Sequence, residues 1–380
     1  MEYRETLGRA SDRQRRVEGT DGARLFDWLM AAASIWWMVG LFVDGWAHSN
    51  LAQLETFFTP WHALLYSGFA AAAVTLGVGT LVNLRAAAPQ ASLVAAVRNG
   101  LAGRRWLRAV PAGYELSVLG VAIFGVSGVA DLIWHTVFGI ERTVDALLSP
   151  THLGLALGLG LSLSGPLRAA WRRPDTRARV SWRELFPAVI SLTFAYSLLT
   201  FFTEYASPRV TPWAVISSTR FNQSGMALGI SGIILQTAIL MSFVLLVARR
   251  WRLPLGVFTF VLGVNGLLMA AFRPSLGIAL VPSAVLGGVA ADVLYGLLRP
   301  APRRLVWMRV FAFAMPAALY LLYFTDLAIV GPSLYGSGIT WSVHFWTGSI
   351  VIAGLVGWLL SYAMIPPVTP SPAPTGGGAG

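Results

Sequence analysis

Five histidines occur in the 380-residue chain, and four of them fall in two short windows of matching pattern. The first window, DGWAHSNLAQLETFFTPWH, runs from Asp44 to His62, and the second, DLIWHTVFGIERTVDALLSPTH, from Asp131 to His152. Each opens with Asp-x3-His and closes with an acid, three residues, Ser or Thr, Pro, one residue and His. Glu55 to His62 and Asp145 to His152 keep the same step. The i,i+4 pairs Asp44/His48 and Asp131/His135 project from one face of a helix, so each pair can share a ligand. Two imidazoles and one carboxylate suit copper, zinc, iron or manganese, whereas the all-oxygen sites of magnesium and calcium do not need His. Three protein ligands also leave coordination positions open, as a catalytic site does and a closed structural site does not. The chain has no Cys, so disulfides, thiolate ligands and thiol nucleophiles are excluded. A proton or ion relay, or simple capping and packing, are the other uses of such residues near a membrane. Singly, Asp44, Glu55, Glu141, Asp145 and His344 fit headgroup contact; the duplicated spacing is what favours a ligand set.

The elements that must position these residues are transmembrane helices. The chain is 56% hydrophobic and 12% charged, against about 25% charged for a soluble domain. Apolar stretches near 26–44, 60–82, 114–138, 150–167, 185–203, 224–247, 253–272, 278–298, 307–331 and 340–364 each approach the roughly 17–25 residues that cross a bilayer as a helix. The sequence therefore predicts an all-α integral membrane protein, a bundle of about ten transmembrane helices with an internally duplicated helix-loop-helix motif. Pro60 and Pro150 suit the first turn of a helix, with Thr59 and Ser149 as N-caps, which places His62 and His152 in the first turns of the second and fourth spans. All 28 basic residues are Arg, and all but Arg142, Arg209, Arg220 and Arg273 fall in the tail and loops of one side. The positive-inside rule puts that side, with both termini, in the cytoplasm and the histidines at the extracytoplasmic ends of spans in the cytoplasmic membrane. The net charge of +11 thus reports topology and not a nucleic-acid partner.

Four regions follow. Residues 1–24 read as a loose polar tail and 365–380 as a disordered Pro/Gly tail. Residues 25–170 hold the duplicated motif, and 171–364 form a second transmembrane half without an evident role. That half brings Glu204, Asp326 and His344 to the external side; for Asp326 and His344 packing or headgroup contact outweighs a ligand role. The external loop 205–225 has an apolar middle that could lie over the site. Trp46, Trp61, Trp134, Trp213, Trp341 and Trp346 mark the external boundary as an aromatic belt. No phosphate loop, dinucleotide fingerprint or nucleophile elbow is present.

At the two windows the chain resembles the C subunit of the copper membrane monooxygenases, the methane and ammonia monooxygenase family, over about residues 40–160. That family carries Asp-x3-His followed by acid-x3-Thr-Pro-x-His, which DGWAH with ETFFTPWH is similar to. Its second motif, Asn-x3-His-Thr, then Glu, then Pro-x-His, is similar to DLIWHTVFGIE with SPTH, except that Asp131 stands where the family has Asn. The resemblance implies copper, with Asp44, His48 and His62 as one set and Asp131, His135 and His152 as the other. Glu55, Glu141 and Asp145 would then orient ligands from behind. It implies an oxidoreductase of monooxygenase type acting on a small apolar substrate that arrives from the lipid bilayer, alone, as a homo-oligomer or with membrane partner subunits. The ligand chemistry by itself leaves zinc or iron open. It also leaves open a copper or metal transporter or metal-handling protein, and a zinc-dependent lipid hydrolase with Glu55 or Asp145 as base.

Overall fold

The computed structural model describes residues 2–51, 57–88, 92, 95, 105–139, 144–173, 180–216 and 223–366, with backbone alone for 2–21, Arg105, Asp145 and Ala146. Hydrocarbon offers the backbone no partner, so apolar segments close their own hydrogen bonds as helices. All ten apolar segments are helical, and the described residues form no strand. They give α1 (Glu2–Asn50), α2 (Pro60–Ala87), α3 (Glu115–Phe138), α4 (Pro150–Leu163), α5 (Trp182–Phe202), α6 (Gln223–Ala248), α7 (Val257–Met269), α8 (Val281–Leu298), α9 (Leu305–Tyr335) and α10 (Val343–Met364). Two of them are lengthened by a neighbour: α4 continues past Ser164 as Gly165–Arg172, and Pro274–Ala279 precedes α8.

Among the described residues nine helices are long and apolar enough to cross a membrane. The exception is α7, whose 13 residues rise only about 20 Å. Its flanks supply the rest. Trp182 Nε1, at the start of α5, donates to Leu255 O at 2.8 Å. Beyond the other end, Asn50 Nδ2 donates to Ala271 O at 3.2 Å, and the Phe201 and Phe272 rings pack at 5.1 Å. Residues 255–272 therefore reach both ends of the full-length helix α5. The N-terminal segment also differs from expectation. α1 begins at Glu2, so the polar stretch read as a loose tail continues the first span as helical backbone. Its Arg, Glu and Gln are good helix formers, and extending a helix already nucleated costs little. Residues 367–380 of the Pro/Gly tail lie outside the described residues.

The duplication extends into the packing. α1 packs along α2, and α3 along α4. In both pairs a glycine six residues after the second histidine meets the backbone of an aromatic residue seven before the aspartate. A Cβ on Gly68 would lie 2.5 Å from Trp37 Cα, and one on Gly158 would lie 2.6 Å from Phe124 N. Leu65 and Leu155, three residues after those histidines, are both buried. Trp37 and Phe124 then meet each other edge to face at 4.7 Å, so the two units join through equivalent residues.

α5 binds the duplicated half to the remainder, packing on α1 and α4 and on α6 and α7. It carries little charge, and its hydroxyls are satisfied locally or across helices: Ser191 Oγ donates to Leu163 O at 2.5 Å, and Asn265 of α7 donates to Ser197 and Thr200. The arginine-rich ends are tied together opposite the histidines. Arg24 pairs with Glu184 at 3.0 Å, Arg173 with Asp27, and Arg172 with Glu115 at 2.5 Å.

The Gly158 contact is backbone against backbone, so Gly158→Leu must force α3 and α4 apart, at a cost of at least the ~1–3 kcal/mol of ordinary overpacking. Gly77, which faces open space, is the control: Gly77→Leu should leave stability unchanged or raise it. Thermal unfolding in detergent should show a clear drop in Tm for the first and none for the second. Equal effects would remove the glycine contact as the organiser of the pair.

Candidate metal centre

Local capping decides where the second histidine of each set stands. Pro60 occupies the first turn of α2 and Pro150 that of α4, where the missing N–H is not needed. Thr59 Oγ1 accepts from His62 N at 3.2 Å, and Ser149 Oγ accepts from His152 N at 3.4 Å. The hydroxyl that caps each helix thereby fixes the backbone of the histidine. Asp44 and His48 lie one turn apart near the end of α1, and Asp131 and His135 near the end of α3.

The expected sets assemble. Asp44 Oδ2 lies 3.9 Å from His48 Nε2 and its Oδ1 3.5 Å from His62 Nε2. Asp131 Oδ2 lies 3.4 Å from His135 Nε2 and its Oδ1 3.5 Å from His152 Nε2. Within each triad one donor atom per residue lies within 4.8 Å of the others. Ligands bonded at about 2.0–2.2 Å around a tetrahedral ion are separated by about 3.3–3.6 Å, so the two Asp-His-His groups can hold a metal ion.

The far side of three of the rings strengthens this. His62 Nδ1 lies 2.6 Å from Phe57 O, and His135 Nδ1 lies 3.3 Å from Gly139 O. A carbonyl only accepts, so Nδ1 is the donor in both, and in the neutral ring Nε2 is left as a lone pair facing a carboxylate oxygen. Two acceptors at 3.4–3.5 Å repel unless a cation or an added proton stands between them. His152 Nδ1 is held at 2.6 Å by Ser149 Oγ. An outer partner on one ring nitrogen that aims the other is the arrangement found behind metal-bound histidines.

Both triads open on one cavity of about 580 Å³. His62 and His135 bring the triads together, their ring centroids 6.4 Å apart, little more than the 5.7 Å between His48 and His62. Phe57 stacks on His62 at 4.8 Å and reaches His135 at 6.0 Å. The segment after α5 also contributes to the cavity wall, through Glu204, Val210, Thr211 and Trp213. Part of the 205–225 loop thus borders the same cavity as the triads; 217–222 lie outside the described residues. Burial pushes the Glu204 carboxyl above its ordinary range, against the pull of Arg273 across the cavity.

Glu55 and Glu141 lie outside the described residues, as does the side chain of Asp145. His344 is exposed on α10, and Asp326 Oδ2 accepts from Ser283 N at 3.1 Å, the packing role expected of it. Sequence reasoning missed Phe57, Tyr66 and Thr151. Thr151 Oγ1 donates to Asp131 Oδ1 at 2.8 Å, a position visible in SPTH as the residue between Pro150 and His152. Phe57 acts partly through its backbone carbonyl, which no residue type reveals.

Comparison with known proteins adds no relative: no family model, curated protein or solved structure matches the chain.

Thr59 and Ser149 differ in a testable way. Ser149 holds both the helix end and the His152 ring, whereas Thr59 holds the helix end and the Phe57 carbonyl holds the His62 ring. Either Ala variant should cost about 1 kcal/mol of stability as a lost cap. Ser149→Ala should in addition weaken metal binding at the second triad by roughly 10- to 100-fold, with the first triad after Thr59→Ala changing much less. Competition titration of each variant with a chromophoric chelator reads this, and equal weakening in both would contradict the ring-holding role of Ser149.

Proposed function

We infer that the chain is a copper-binding membrane oxidoreductase of monooxygenase-like type. Asp44, His48 and His62 hold one ion, and Asp131, His135 and His152 hold a second beside it. The observation that carries this is the pair of triads in which two imidazole nitrogens stand 3.4–3.9 Å from one carboxylate, with the facing nitrogen left as a lone pair in neutral His62 and His135. The choice of copper rests on the resemblance of the windows to the C subunit of the copper membrane monooxygenases and on ligand preference, since imidazole suits copper, zinc and iron alike. Bound there, copper supplies one-electron chemistry towards dioxygen. The protein's own residues orient the ion, limit water and admit apolar molecules.

Beneath the triads the bundle closes with Trp37, Leu41, Leu65, Phe124, Leu155 and Leu159, all buried. This apolar floor directly beneath the triads is unlike the polar lining of an ion path, which favours a resident ion over a transported one. The ten helical segments and the Arg asymmetry support ten crossings with both termini cytoplasmic and the triads at the extracytoplasmic face. The bilayer is the immediate partner; the resemblance adds membrane subunits or a second copy of the chain.

Elemental analysis of the purified full chain, with electron paramagnetic resonance, should find two copper ions per chain. His48→Ala or His62→Ala should remove one and spare the other, with His135→Ala or His152→Ala doing the reverse. Loss of both from either change would mean that the neighbouring triads act as one dinuclear centre. Zinc alone, silent to reduction, would replace oxidation by hydrolysis, with Glu204 in the cavity as the carboxylate to test.

The absence of Cys makes topology directly testable. Ser333→Cys, exposed near the end of α9, should react with a membrane-impermeant maleimide in intact cells, and Arg303→Cys, exposed before α9, only after permeabilisation. The opposite pattern would invert the orientation.

A further inference from the structure

A second hollow lies on the other side of the histidine wall. Between α2 and α3 runs an apolar groove of about 680 Å³ that shares His62 and Tyr66 with the metal cavity. It extends along α2 from Thr59 to Phe69, about 15 Å at the helical rise. That equals half of the ~30 Å hydrocarbon core, the depth of one leaflet. Its floor is opened by Gly125 and Gly128 of α3. A Cβ on Gly125 would meet only the Phe69 ring, at 3.6 Å, so there is room where a larger residue would fill the groove. Its rim faces outward: Phe58 is 82% exposed and Val129 62%.

We propose that this groove binds one acyl chain of a bilayer lipid, with the ester-proximal carbons against His62 and Tyr66 and the chain end at Phe69 and Gly125. An exposed apolar hollow at this depth has hydrocarbon as its solvent, and a groove about one leaflet long matches the length of a single extended chain. Thr59 is the rim's hydroxyl, and it is committed to the cap of α2, so the groove offers little to a partner that must be recognised by polar contacts. Tyr66 Oη is buried without a hydrogen-bond partner, which places an unused hydroxyl in the wall between chain and metal cavity. The proposal rests on the membrane placement of the helices and not on the identity of the metal.

The test uses the full chain in phosphatidylcholine nanodiscs containing a phospholipid with a photoreactive diazirine in one acyl chain, either near the ester or at the chain end. Peptide mapping should find the near-ester probe on 57–66 and 128–132 and the chain-end probe on Phe69 and Gly125. Gly125→Leu should abolish most of this labelling, and Val129→Trp, filling the groove from its rim, should do the same if the first variant folds poorly. Val78→Leu on the exposed face of α2 should change nothing. Labelling spread equally over Val74, Val78 and Val82 and unaffected by Gly125→Leu would show ordinary surrounding lipid and overturn the proposal. Crosslinks between two copies of the chain across the groove would overturn it as well. Metal content measured on the same samples separates the two ideas: groove labelling without copper would sink the copper assignment alone, and copper without groove labelling would sink this one.

Discussion

Each triad is divided between two antiparallel helices, so everything depends on the axial register of one helix pair. The aspartate and first histidine belong to α1 or α3, and the second histidine to α2 or α4. A slip of one residue along either helix would displace the ring by about 1.5 Å, comparable with the whole tolerance of a metal bond. Two contacts hold the register. At the site, the hydroxyl cap and proline start the second helix at a defined residue. Deeper, the glycine-to-aromatic backbone contact, Gly68 on Trp37 and Gly158 on Phe124, admits no sliding, because an added or displaced Cβ would collide with main chain. Interiors this closely packed respond to such changes discretely and do not deform smoothly.

The surroundings then determine what a charged cluster can do near a membrane. Carboxylates and imidazoles are costly in a low-dielectric region unless they are paired or coordinate an ion. Asp131 is nearly inaccessible, at 2% side-chain exposure, yet it is surrounded by two imidazoles and a threonine hydroxyl. Apolar residues such as Leu41, Phe124 and Leu159 line the cavity beside the triads, together with the segment 204–213. This gives the second half of the chain a definable part in the site. The segment that follows α5, with Phe272 and Arg273 after α7, lines the same cavity, although none of these residues belongs to the duplicated motif.

Much of this was legible in the residues alone. Hydropathy located all ten helical segments, since a bilayer permits one kind of backbone solution for such stretches. The ligand sets were visible because i,i+4 spacing and Ser/Thr-Pro caps are local rules that tertiary structure seldom overrides. The proximity of the two triads was not visible, because repeat spacing says nothing about how two copies dock; that depends on Trp37 meeting Phe124. The continued helix of α1 over the polar N-terminal residues was missed because composition argued against burial, and helix propagation does not require burial. Phe57 was missed because its backbone carbonyl, which aims His62, carries no signature of residue type. The short α7 shows a different limit: its irregular flanks complete the length of the bundle, which an apolar count reads as one uninterrupted helix.

The copies are alike in plan but unequal in their hydrogen bonds, and this inequality bears on what each can bind. Position for position, Thr151 of the second unit corresponds to Trp61 of the first. Thr151 donates to Asp131 Oδ1 and so occupies part of that carboxylate's acceptor capacity. Trp61 instead packs edge to face with Trp46 at 5.7 Å, and Asp44 Oδ1 is buried without a hydrogen bond, as is His48 Nδ1. The first triad therefore keeps more of its carboxylate for an ion but has one ring with no outer partner to aim it, leaving its geometry freer. In the second, Gly139 O and Ser149 Oγ direct both rings and Thr151 orients the carboxylate, so its geometry is set before an ion arrives. A preorganised site pays less ordering entropy on binding, and a looser one follows the changing preferences of a metal that alternates between oxidation states. The second triad is thus the more preorganised of the two, and its neighbour stands close by, with the His62 and His135 ring centroids 6.4 Å apart.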